Sequence, residues 1–146
     1  MIWKLSHRAD PKARVLADRH YNRQSIGAAN FVPPGRCCVF LSLDEKSFWV
    51  TSWPFAEFTK HQWAGAWICS AFRREGGDML ASEMILQAVA ATKAIWPDVP
   101  DLGMITFVNR DKVKHKRDPG RCYLKAGFHK CGESQGGLLA LQMLPG

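Results

Sequence analysis

Short apolar runs, broken by proline, glycine and brief polar turns, divide the chain into helices and strands. Asp10-Pro11 reads as an N-cap followed by proline at the first helical position, and the helix it opens runs to about His20. Residues 22–36 hold Gly27, Pro33, Pro34 and Gly35 and read as loop. Cys37 to Leu43 reads as a strand, Asp44-Glu45-Lys46 as a turn, and Ser47 to Trp53 as a second strand, completing a hairpin that Pro54 ends. A polar and aromatic connection over 55–64 leads to a third strand, Ala66 to Phe72. Asp78 is the expected cap of a long helix, Met79 to Trp96, stopped by Pro97. Gly103 to Asn109 is a fourth strand. Pro119 starts a short helix that stops at Gly127, a residue suited to the position just past a helix end. His129 to Glu133 and Leu138 to Met143 form a last pair of strands.

The predicted order is α-β-β-β-α-β-α-β-β. A long helix between strands demands a crossover onto one sheet, and the hairpins demand antiparallel pairing. The expected fold class is therefore α/β in the broad sense (α+β): a mixed, mainly antiparallel sheet flanked by helices. A length of 146 residues suits one domain spanning 1–146. The apolar runs are too short for a membrane-spanning helix, and Met1-Ile2-Trp3-Lys4, soon followed by His7, Arg8 and Asp10, is not a signal peptide. No membrane partner and a cytoplasmic location are expected. The five cysteines, Cys37, Cys38, Cys69, Cys122 and Cys131, form no CxxC pair, which argues against a disulfide framework or zinc ribbon and for a reducing compartment.

The formal net charge of +7 is unevenly placed. Residues 1–36 carry seven basic side chains against Asp10 and Asp18, a net of +5; residues 110–130 carry eight against Asp111 and Asp118, a net of +6. The middle, 37–109, is mildly acidic. Two basic segments brought together by the fold would make a surface able to follow a phosphate backbone. The plainer alternative is a solvated face that keeps the protein soluble.

The order of elements resembles that of the GNAT acyltransferase superfamily, and two local sequences agree. Arg73-Arg74-Glu75-Gly76-Gly77-Asp78 sits where those enzymes hold the cofactor pyrophosphate, and Tyr123-Leu124-Lys125-Ala126-Gly127-Phe128 looks like their C-terminal signature. Within that superfamily the chain is similar to the Mom-type DNA-modification proteins of bacteriophages. The shared features are His20-Tyr21, Phe72-Arg73-x-Glu75, Ala81-Ser82-Glu83, Thr106-Phe107-Val108-Asn109, the run from Pro119 to Phe128, and Gly136-Gly137-Leu138. The resemblance implies conversion of the exocyclic amine of adenine in double-stranded DNA to a carbamoylmethyl derivative that blocks restriction enzymes, in the cytoplasm of a phage-infected or lysogenic bacterium. It implies an acyl donor such as acetyl-CoA held by Arg73, Arg74, Gly76 and Gly77. The carboxylate of Asp78 departs from the superfamily pattern and would repel a pyrophosphate.

The amine of adenine is a poor nucleophile because its lone pair is delocalised into the ring, so the reaction needs a base or an activated electrophile. His20 is the best base by its near-neutral ordinary pKa, with Tyr21 beside it; its alternative is a histidine favouring a helix C-terminus. Tyr123 matches the tyrosine that protonates a leaving group, or else packs the short helix on the sheet. Asp111 can orient a histidine, or be one exposed charge among lysines. Arg73 can pair with phosphate, or with Glu75 or Glu83 in a structural bridge. Ser82 can point its hydroxyl into the cleft. Thr106 and Asn109 are polar positions in an apolar strand, and Asn can read adenine through paired donor and acceptor groups; an Asx turn is the alternative for Asn109. Lys112, Lys114, Lys116 and Arg117 are the expected DNA contacts. Acting on a duplex base requires extruding it, and one or two aromatics of the 54–64 connection could stack it. The histidines, His7, His20, His61, His115 and His129, show no metal-ligand spacing; ligands converging in space leave iron open as a cofactor. Two other functions stay open: an acyl-CoA-dependent N-acetyltransferase acting on a small amine or protein, and a non-catalytic DNA-binding protein. The oligomeric state, a homodimer included, is not legible in the sequence.

Overall fold

A computed structural model describes residues 1–19, 35–109 and 120–146. Across the described residues it is a mixed α+β fold: three α-helices and a single 3-10 turn, Ala56–Phe58, with a seven-stranded, mostly antiparallel open sheet. The strands are β1 (Trp3–Leu5), β2 (Arg36–Ser42), β3 (Ser47–Trp53), β4 (Trp67–Arg74), β5 (Met104–Val108), β6 (His129–Glu133) and β7 (Leu139–Met143). The helices are α1 (Pro11–Asp18), α2 (Ala81–Ile95) and α3 (Arg121–Lys125). Across the sheet the order is β1-β2-β3-β4-β5-β7-β6. Only β4 and β5 are parallel, because α2 carries the chain back over the sheet between them.

The predicted hairpin forms as expected, with Cys38 opposite Thr51 and Phe40 opposite Trp49. Alternation sorts its side chains by face. Val39, Leu41, Phe48 and Val50 pack under α1, whose Ala13, Leu16 and Ala17 recur at helical spacing. Cys38, Phe40 and Trp49 turn to the other face, where Met84, Ile85 and Ala88 of α2 close the main core. A buried polar chain ties α2 to this face: Trp49 Nε1 donates to Thr51 Oγ1 at 2.7 Å, and Thr51 and Thr92 share a 3.0 Å hydrogen bond. Thr92 also bonds the Ala88 carbonyl within its own helix.

Several boundaries and one element differ from the expectation: β4 runs on to Arg74 instead of ending at Phe72, α2 starts at Ala81 instead of Met79, α3 starts at Arg121, and β1 is additional. β1 is absent from the predicted order, since three residues carry too little alternation to register. It forms because it pairs with β2 and because the Trp3 indole donates to the Met84 carbonyl at 2.9 Å, fastening the sheet edge to α2. Asp78 is not the cap of the long helix. The helix begins at Ala81, with Leu80 at the N-cap and no side chain bonding the first turn. Asp10, in contrast, caps α1 as expected, accepting a hydrogen bond from the Lys12 N–H at 2.9 Å.

The turn into β5 has little room. Gly103 has φ +66°, and a Cβ there would lie 2.0 Å from the Met143 carbonyl oxygen. Gly65 also has positive φ but open space around it. Gly103→Ala should therefore lower unfolding stability by about 3 kcal/mol, against about 1 to 2 kcal/mol for Gly65→Ala, where backbone strain acts alone. Urea denaturation of the two variants beside the parent checks the difference.

Candidate active site

The parallel pair β4–β5 is short. Trp67 pairs with Met104, Ile68 with Ile105 and Cys69 with Thr106, and there the register ends. Ala71 to Arg74 continue β4 with β3 as their only neighbour among the described strands. A bulge lies at the same point: Thr51 opposes Cys69 but Val50 opposes Ala71, leaving Ser70 as the extra residue. A bulge bends its strand and raises the local twist. Beyond Cys69 the two strands part, and the backbone edge of β4 facing β5 is released from the ladder.

Tyr123 reaches this point from α3. Its hydroxyl lies 3.5 Å from Cys69 Sγ. The geometry of the helix end explains its placement. Gly127 has φ +107°, its N–H donates to the Leu124 carbonyl, and the Phe128 N–H donates to the Tyr123 carbonyl. This double bond pattern is the Schellman motif, whose usual apolar contact joins the third residue from the helix end to the second residue past the cap. Here those residues are Tyr123 and Phe128, with ring centroids 5.4 Å apart and edge to face. Phe72 meets the tyrosine ring from β4 at 6.4 Å. The Ala126-Gly127-Phe128 sequence thus aims Tyr123 at the end of the parallel pair.

Thr106 is buried, and its hydroxyl donates to the Cys69 carbonyl at 3.3 Å across the last β4–β5 pair. Burial pushes the Cys69 thiol up to about 12, with the Tyr123 and Thr106 hydroxyls only partly offsetting it. Burial likewise raises Tyr123 well above the ordinary phenol range, and the neighbouring sulfur of Cys69 adds to the rise. Both groups are neutral at physiological pH. Cys69 is therefore no thiolate nucleophile, and Tyr123 holds its proton as an acid must.

Arg73 lies elsewhere. It opposes Phe48, which packs under α1, and directly opposed residues share a face. Arg73 is on the α1 side, whereas Phe72 and Tyr123 are on the α2 side. Its Nε donates to Glu75 at 2.6 Å, and Arg19, just past α1, donates to the same carboxylate through Nε at 2.7 Å. Burial alone would raise the pKa of Glu75, but hydrogen bonds from Arg73 and Arg19, and their charges, hold it below the usual carboxylate range. The structural-bridge alternative for Arg73 is the one realised. Arg74 bonds the Gly77 carbonyl at 2.7 Å.

These contacts decide whether the turn suits a pyrophosphate. The first turn of α2 offers backbone N–H groups uncapped by any side chain. Against this, Arg73 is committed to Glu75, and Asp44 Oδ2 stands 3.2 Å from where a Cβ on Gly77 would lie. A Cβ on Gly76 would meet the Lys46 side chain at 3.1 Å. Carboxylates at Asp44 and Asp78 border the turn on both sides of Gly77. In this arrangement the turn does not fit a pyrophosphate.

Of the other expected residues, Ser82 is half-buried in the first turn of α2, and Asn109 is half-buried one residue past β5. His20, Tyr21, Asp111, Lys112, Lys114, Lys116 and Arg117 lie outside the described residues. No group of three His, Cys, Asp or Glu side chains suited to a metal ion gathers among the described residues. No helix among them is long and apolar enough to cross a membrane. His61 and Trp63 of the aromatic connection meet β5 just past its last pair with β4, but on the face away from Tyr123. Trp63 is buried against Phe107, and Phe55, 49% exposed, sits with Trp53 under the Arg36 guanidinium at the opposite end of the sheet. Cys69 and Arg19 escaped the sequence reading. Neither carries a local signal, because one depends on a bulge and the other on a contact across 56 residues.

Glu75→Gln should destabilise the protein by about 1 kcal/mol at neutral pH, the scale of a partly exposed ion-pair network. The folded pKa of Glu75 is depressed, so its contribution is present above the unfolded value of about 4.3 and lost as pH falls through the lower folded value. The gap between parent and variant should close over that acid range in denaturation curves taken at stepped pH. Across known proteins, no protein-family model, no curated protein and no solved structure matches this chain, so the site stands on its own geometry.

Proposed function

We propose that the chain is a DNA-modifying enzyme of GNAT-like, Mom type that acts on the exocyclic amine of adenine. One observation carries the reading: Asn109 and Gly120, the described residues on either side of 110–119 within the basic segment 110–130, border the point where β4 and β5 part. Asn109, its last described neighbour on one side, follows β5 by one residue. Gly120, on the other side, starts the helix that bears Tyr123. The intervening residues include Lys112, Lys114, Lys116 and Arg117. A polyanion held by these charges would lie over the parted strands and the Tyr123 acid.

The fold supports the scaffold part of the reading. From α1 to β7 the elements follow the order that carries the GNAT resemblance, with β1 added before them. Arg19, at the end of α1, is fastened to Glu75 one residue past β4, and His20-Tyr21 follow it in the sequence. In the proposed reaction the adenine nitrogen forms a bond to the electrophilic carbon of a carbamoylmethyl donor while that carbon's bond to its leaving group breaks. The amine proton goes to His20, and Tyr123 supplies a proton to the leaving group. The electron pair of the broken bond departs with that group.

The reading differs from its alternatives in what it leaves on DNA. Plasmid from cells expressing the protein, digested to nucleosides, should contain a deoxyadenosine of increased mass. An unchanged nucleoside profile from soluble, folded protein would overturn it. Turnover of acetyl-CoA on amines without DNA binding would move the assignment to an N-acetyltransferase. Replacing Lys112, Lys114, Lys116 and Arg117 together with alanine should weaken DNA binding and reduce the slope of log affinity against log salt by about 3 to 4, with about 0.9 for each phosphate these side chains no longer neutralise. Unaltered binding would assign these charges to solubility instead.

A further inference from the structure

The proposed reaction uses Tyr123 and leaves the buried Cys69 beside it without a role. Cys69 occupies a defined place. It is the last residue of β4 paired with β5, and the bulge at Ser70 decides its direction. In an unbroken strand Cys69 and Ala71 would share a face. With the extra residue, Ala71 turns to the α1 side with Val50, while Cys69 stays with Trp67 and Phe72 on the α2 side. The thiol thereby meets the Tyr123 hydroxyl at 3.5 Å. Thr106 holds the Cys69 carbonyl from the opposite strand. The ring of Tyr123 is packed by Phe72 and Phe128, so its remaining freedom is rotation of the hydroxyl.

We infer that Cys69 is a positioning residue for Tyr123, its neutral thiol orienting the phenol hydroxyl toward the gap between β4 and β5. A thiol is a weak hydrogen-bond partner. It fixes the direction of the hydroxyl without competing strongly for the proton, which a carboxylate or an imidazole would do. This role rests on the reading of Tyr123 as the acid, but the contact itself can be tested independently of any reaction.

Four variants separate the possibilities: Cys69→Ser, which keeps a hydrogen-bonding group, Cys69→Val, which fills the space without one, Cys69→Ala, which removes the group altogether, and Tyr123→Phe. The chain has two tyrosines, so a Tyr21→Phe background, used for spectroscopy alone, leaves Tyr123 as the single phenol. Its ionisation is followed by near-ultraviolet absorbance. Burial, the main cause of the raised phenol, stays in every variant; Cys69→Val should move that titration to lower pH by removing the sulfur's charge and its hydrogen bond, and Cys69→Ser, which keeps only a hydrogen-bonding group, should restore part of the shift. On DNA, Cys69→Val should lower the modification rate about tenfold with substrate affinity unchanged, and Cys69→Ser should recover it. In the Tyr123→Phe background Cys69→Val should cost nothing further, since residues acting as one unit are not additive. A Cys69→Val protein that folds and titrates like the parent overturns the inference. So does an equal loss of rate in the presence and absence of the Tyr123 hydroxyl. If Cys69→Val does not fold, Cys69→Ser decides: a titration displaced as far as in Cys69→Ala overturns the inference, and one closer to the parent's than that of Cys69→Ala upholds it. Should the parent leave DNA unmodified, the functional reading fails while the titration still decides the role of Cys69.

Discussion

Three registered pairs join β4 to β5, and the candidate site exists because there is no fourth. In a sheet, an interior strand normally spends its N–H and C=O groups on both neighbours. From Ala71 onward β4 is paired with β3 alone among the described strands. The bulge at Ser70 is the local cause, since an extra residue on one strand twists it away from its parallel neighbour. Its Oγ lies 2.6 Å from Ser52 Oγ, a contact that holds the extra residue against β3. Without the bulge, Cys69 would share a face with Ala71, and the thiol–phenol contact could not form alongside the present α1 packing.

The rest of the site is arranged around that gap by packing on two faces. On the α2 side, α3 ends in a turn that seats Tyr123 against Phe128 and Phe72. On the α1 side, Arg73 and Arg19 meet at Glu75 and bind the end of α1 to the end of β4. The two arrangements share a strand but not a surface. Arg73 and Tyr123 therefore do different work: one fastens the helix before His20, the other faces the opened edge.

Charge is distributed less simply than a pair of basic segments suggests. Much of the N-terminal excess is dispersed along and around α1. Lys12 is paired with Glu45 at 3.0 Å, Arg19 with Glu75, and Arg8 and Arg36 are at the far end with Cys37 and Trp53. The segment after β5 differs because both of its anchors border the gap. In the proposed function that asymmetry assigns DNA contact to the C-terminal charges rather than to the whole +7.

Element identity was legible in the chain because it depends on local physics. Asp10-Pro11 starts a helix by capping, Pro97 follows the end of the long one, and two strand-like runs, Cys37 to Leu43 and Ser47 to Trp53, on either side of Asp44-Glu45-Lys46 read as a hairpin. Gly127 marks the end of α3 because the turn after it needs positive φ. Tyr123 could be singled out by its place before Ala-Gly-Phe. What alternation and caps do not encode is which strands lie side by side, and the sheet order came only with the tertiary structure. The same is true of the bulge, since Ser70 looks like any other strand residue until Thr51 and Val50 are set against it. It is true of β1, which three residues cannot specify without β2 and the Met84 carbonyl to receive Trp3. It is true above all of the two sides of the site: the face of Arg73 is set by its register against Phe48, and the partner of Tyr123 is a cysteine 54 residues away. Local sequence sets backbone preference over a few residues, whereas register and face are properties of pairs, and pairs form only when the whole sheet does.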